Sequence, residues 1–84
     1  MIFTVEYADE VVEALTSRLL PLLQAGAWQW SGFHVNHDET YGYYSVWKDA
    51  EGDGCSDHVA RCHTLAQVAE SMALAALKAG KVKW

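Results

Sequence analysis

The spacing of the apolar residues changes period three times along this chain, which predicts strands and helices in alternation rather than a helical bundle or an all-β sandwich. Phe3, Val5 and Tyr7 alternate with Thr4 and Glu6, the two-residue period of a half-buried strand. From Asp9 onward Val11, Val12, Leu15, Leu19, Leu22 and Leu23 recur in steps of three and four, which predicts an amphipathic helix. Asp9, Glu10 and Glu13 suit the positive end of its dipole, and Gly26 follows its end. Pro21 lies inside this helix, where the missing N–H and the ring clash predict a kink or a tightened last turn after Leu20.

The segment from Ala27 to Trp47 returns to a two-residue period and predicts a hairpin. Trp28, Trp30, Phe33 and Val35 lead in, Asn36 to Thr40 turn, and Tyr43, Tyr44, Val46 and Trp47 lead out. Trp28 and Trp30 are out of phase with Phe33 and Val35. Either a β-bulge at Ser31-Gly32 returns all four to one face, the choice that the glycine favours, or the tryptophans lie opposite the phenylalanine. On the outgoing strand Tyr44 and Val46 share one face and Tyr43 and Trp47 the other, so one aromatic row is expected outside the core. Thr64-Leu65-Ala66-Gln67 fits a capping box and starts the last helix at Leu65, which leaves His58 to His63 as a short final strand. Leu65, Val68, Ala69, Met72 and Ala76 form the apolar stripe of that helix, widened by Ala66, Ala73 and Leu77.

The expected fold is α+β, an antiparallel sheet of three or four strands with two helices on one face, in the order β-α-β-β-β-α. A chain of 84 residues supports a single domain, residues 1–84, because at this size only about 60 to 65% of the unfolded surface is buried. From residue 9 onward the element order and the alanine-rich last helix resemble the α-β-β-β-α topology of double-stranded RNA-binding domains. That resemblance implies a lysine cluster at the start of the last helix, and here the matching stretch, Thr64 to Glu70, holds no base. RNA binding is therefore not carried over with the topology.

Charge narrows the partner. The net charge is −5, and ten of the eleven acids precede residue 58, where only Arg18 and Lys48 oppose them. Such a balance works against phosphate tracking, which needs clustered Lys and Arg, and favours a basic protein partner. No apolar run of about 18 residues predicts a membrane span. The N-terminus lacks the basic and apolar regions of a signal peptide, so the expected location is cytoplasmic, with Cys55 and Cys62 as thiols.

Three constellations carry possible chemistry. Cys55, His58, Cys62 and His63 offer zinc-ligand types, although no two cysteines have knuckle spacing, and only a helical reading of residues 56–63 would gather Cys55, His58 and Cys62 on one side. Asp49, Glu51, Asp53 and Gly54 resemble the first part of an EF-hand loop, but Ala60 stands where the bidentate glutamate belongs. Neither a phosphate loop, a nucleophile elbow nor an HExxH pattern is present, so no catalytic residue and no cofactor is expected. The third constellation combines Trp28, Trp30, Tyr43 and Trp47, residue types that anchor interfaces, with Asp38, Glu39, Asp49, Glu51 and Asp53, which would steer a basic partner. This predicts a non-catalytic protein-binding module. In class it resembles the small acidic inhibitor and accessory proteins of phages and mobile elements, anti-CRISPR proteins among them, which implies an inhibitor covering a basic or nucleic-acid-binding surface. The alternatives are a zinc-stabilised domain and a self-associating homo-oligomeric subunit.

Overall fold

The computed structural model describes residues 9–50 and 54–80. Its elements are α1 (Asp9–Gln24), β1 (Gln29–Trp30), β2 (Phe33–Asp38), β3 (Tyr43–Lys48), β4 (Asp57–Cys62) and α2 (Leu65–Lys78). The strands form one antiparallel sheet in the order β1-β2-β3-β4, so every connection within it is between neighbours. The expected α+β class with a four-stranded antiparallel sheet holds, and the described order is α-β-β-β-β-α. The strand expected at Phe3 to Tyr7 lies outside the described residues.

Helix α1 buries Leu15, Leu19 and Leu23, one residue per turn on a single stripe, with Val11, Val12 and Leu20 packed beside them. Leu22 falls off this stripe and is 45% exposed, a departure from the expected apolar set. The helix runs through Pro21 to Gln24. It ends in a Schellman arrangement, in which Gly26 at φ +89° donates to the Leu23 carbonyl and Ala27 to that of Leu22.

The phase conflict around Ser31-Gly32 is resolved by a turn rather than a bulge. Ser31 and Gly32 both have positive φ, at 48° and 82°, as in a two-residue type I′ turn, and the chain doubles back so that Trp30 pairs with Phe33. Directly paired residues share a face, so Trp30 joins Phe33 on the core side. The next turn lies later than expected. Asn36, His37 and Asp38 are still strand, and the chain reverses at Glu39 to Gly42, where the Asp38 carboxylate accepts from the Tyr41 N–H and Gly42 takes φ +71°. A bulge does occur, in β4: Val46 pairs with Ala60 and Trp47 with His58, which leaves Val59 as the extra residue.

Residues 57–62 are strand, and α2 begins at Leu65 as its capping residues predict. The Thr64 hydroxyl accepts from the Gln67 N–H at 3.1 Å, and Gln67 Oε1 accepts from the His63 N–H at 2.8 Å, one residue earlier than the reciprocal bond of a capping box. Helix α2 buries Val68, Ala69, Met72, Ala73, Ala76 and Leu77 against α1, β3 and β4. Its small residues let α1 approach closely, and Phe33, Val35, Val46 and Cys62 complete one core from the sheet. Both helices therefore cover the same side of the sheet.

Two substitutions test this architecture by urea unfolding. Thr64→Ala removes the cap and is expected to cost about 1 kcal/mol. Phe33→Ala empties a site that is 1% exposed and is expected to cost about 3 to 5 kcal/mol, a large part of the stability of a domain this small. Equal, small effects of the two changes would contradict the core as described.

Candidate functional site

The pleat sends alternate residues of each strand to opposite sides, and pairing carries that alternation across the sheet. On the helix side stand Phe33 and Val35 of β2, Tyr44 and Val46 of β3, and Ala60 and Cys62 of β4. On the other side stand His34 paired with Trp47, Asn36 with Ser45 and Asp38 with Tyr43, while β4 adds His58 opposite Trp47 and Arg61 opposite Ser45. No described element packs over this second face.

Its side chains are organised by their rings. Trp47 lies beside His34 with centroids 6.4 Å apart and planes within 8°, and His58 meets the indole edge-on at 4.9 Å. The Arg61 guanidinium sits 4.4 Å over the Tyr43 ring, and Tyr41, 77% exposed, stacks on Tyr43 at 6.3 Å. Asp49, two residues beyond Trp47, is hydrogen-bonded through Oδ1 to His34 Nδ1, which anchors the start of the β3–β4 connection to β2. A backbone bond of 2.8 Å from the Asp49 N–H to the Gly32 carbonyl fixes the same point. Asp38 marks the opposite end of the row. The Trp47 indole Nε1 is buried, with no acceptor among the described residues.

The expected site residues divide in two. Tyr43, Trp47, Asp38 and Asp49 come together on this open face, and Glu39 is exposed in the turn beside Asp38. Trp28 and Trp30 do not join them. Trp30 packs against the core, and Trp28, 38% exposed, lies on the helix side of the sheet, stacked on Tyr44, which in turn stacks on His37 at 4.4 Å. The doubling back at Ser31-Gly32 is the reason, since it gives β1 the same facing as Phe33. Glu51 and Asp53 lie outside the described residues. His34 and Arg61 belong to the face without having been expected there. The parity of His34 with Asp38, and of Arg61 against Ala60 and Cys62, carries that signal, whereas the facing of His58 depends on the bulge at Val59.

The zinc reading loses its geometry. Because residues 57–62 are strand with a bulge at Val59, His58 faces the open side, whereas Cys62 is buried in the core with its Sγ 3.5 Å from the Ser71 hydroxyl. Cys55 is exposed in the preceding loop, and among the described residues no three His, Cys, Asp or Glu side chains converge to hold a metal. Of the partial calcium-loop pattern, Asp49 is hydrogen-bonded to His34, and Glu51 and Asp53 lie outside the described residues. Among the described residues no helix is long and apolar enough to cross a membrane. The chain matches no family model, no curated protein and no solved structure.

Thiol titration checks the placement of the two cysteines. In native protein one thiol, Cys55, is expected to react promptly with an aromatic disulfide reagent, and Cys62 only after denaturation. Two fast thiols, or protection of both by added zinc, would contradict the strand register of β4.

Proposed function

We propose that this protein is a non-catalytic protein-binding module that docks through the open face of its sheet onto a basic surface of a partner. Its action would be that of an inhibitor, covering a surface that the partner otherwise offers to nucleic acid. The observation that carries the reading is the gathering of Tyr41, Tyr43 and Trp47 on one face that no described element covers, with Asp38 and Asp49 at its ends. Aromatic side chains supply large contact areas at small entropic cost and dominate interface energetics, while rim carboxylates steer encounter with a cationic surface. A net charge of −5 adds long-range attraction to such a partner.

The pairing of Asp49 with His34 holds the carboxylate beside the Trp47 ring, which lowers the entropy lost on docking.

Affinity capture with a tagged chain from its host, followed by titration of the captured partner, tests the proposal. Trp47→Ala and Tyr43→Ala are each expected to weaken binding by about 30-fold or more, the loss of a hot spot of about 2 kcal/mol. Asp38→Lys and Asp49→Lys are expected to slow association and to flatten its dependence on salt. Unchanged partner affinity in all four variants, each with a native-like unfolding transition, would refute the face as the docking surface.

A further inference from the structure

Residues 14–37 carry a single charge, Arg18, in a chain that has six bases and eleven acids. They make up the greater part of α1, all of β1 and most of β2. Two of the three exposed large apolar side chains among the described residues, Leu22 and Trp28, belong to this stretch. The bond from the Ala27 N–H to the Leu22 carbonyl keeps Trp28 close to the end of α1. Between α1 and β1 lies a groove of about 280 Å³, lined by Leu15, Arg18, Leu19, Leu22 and Trp30. An apolar surface of this kind, nearly free of charge on an otherwise charged protein, marks a place of contact.

The charge pattern decides between occupants. A basic partner, which the acids of the open face attract, would meet Arg18 here and no acid. Two acidic surfaces can come together only where acids are missing, and in this chain that is residues 14–37. The surface is also its own complement. Leu22 is exposed at the rim of a groove whose other walls include Leu15, Leu19 and Trp30, so each of two copies related by a twofold axis can give a leucine and receive one. Antiparallel α1 helices that meet between Arg18 and Leu22 bring each Arg18 beside the last turn of the other helix. That turn has no base of its own, and the negative end of a helix favours a cation.

We infer that this surface joins two copies of the chain in a symmetric dimer, with Leu22 of each seated in the α1–β1 groove of the other and Arg18 at the end of the other's α1. The groove lies on the helix side of the sheet, so the dimer leaves both open faces uncovered. The inference is independent of the docking reading above.

Sedimentation velocity of the full chain, from about 10 µM to about 1 mM, is expected to show a monomer–dimer equilibrium within that range. Each copy carries a charge of −5, so salt screens their repulsion. Raising it from about 20 mM to about 200 mM is expected to tighten the dimer at least about threefold, the opposite of what salt does to the docking of a basic partner. Leu22→Glu is expected to weaken the dimer by about 30-fold or more and Arg18→Glu by about 10-fold. Tyr41→Glu, which adds negative charge at the open face, is expected to leave it unchanged. Arg18 is exposed, so Arg18→Glu keeps the result readable if Leu22→Glu unfolds the protein. A monomer at every concentration would overturn the inference and leave the docking face standing. A dimer that loosens with salt, that ignores both α1 substitutions, or that Tyr41→Glu disrupts equally would overturn it as well.

Discussion

The pairing of Val35 with Val46 at the centre of the sheet is the contact on which the remaining structure depends. Both side chains are buried on the helix side of the sheet, and their burial fixes the phase of β2 against β3. A slip of one residue would turn Val35 and Val46 to water and bring His34 and Trp47 into the core, so the register is held by the full hydrophobic energy of that face. The open face is therefore a consequence of the core. Once Phe33, Val35 and Val46 are inside, His34, Asp38, Tyr43 and Trp47 have to stand on the other side.

Two local devices refine that arrangement. The Ser31-Gly32 turn folds β1 back so that Trp30 extends the core, and it offers the Gly32 carbonyl to the Asp49 N–H. The bulge at Val59 lets β4 place His58 against Trp47 and Arg61 against Ser45 while Ala60 and Cys62 stay on the helix side. Together they set His34, His58 and the Asp49 backbone around Trp47 on a plain antiparallel meander. Loops alone would not hold the rings and the Asp49 carboxylate in fixed relation, whereas paired strands do.

Much of this was legible in the amino-acid order. The stripe of α1 apart from Leu22, the start of α2 at Thr64-Leu65, a last strand expected over His58 to His63 and found at Asp57–Cys62, and the split of Tyr43 and Trp47 from Tyr44 and Val46 all follow from period and capping. What was not legible involved choices between local geometries of similar cost. Ser31-Gly32 suits a bulge or a two-residue turn, and only the pairing of Trp30 with Phe33 decides between them. Asn36 to Thr40 has turn composition, yet the Asp38 carboxylate and Gly42 move the reversal toward Tyr41. The same ambiguity put Trp28 and Trp30 among the expected surface aromatics, and the approach of His34 to Asp49 spans fifteen residues, beyond any local pattern.

In the proposed docking the sheet, rather than the helices, meets the partner. Photocrosslinking in host cells tests it most directly, with a benzophenone side chain placed at Asn36, exposed on the open face, or at Ser17, exposed on α1. The docking face predicts a discrete adduct from Asn36 that excess unlabelled protein suppresses, and none from Ser17. A suppressible adduct from Ser17 with none from Asn36 would contradict it.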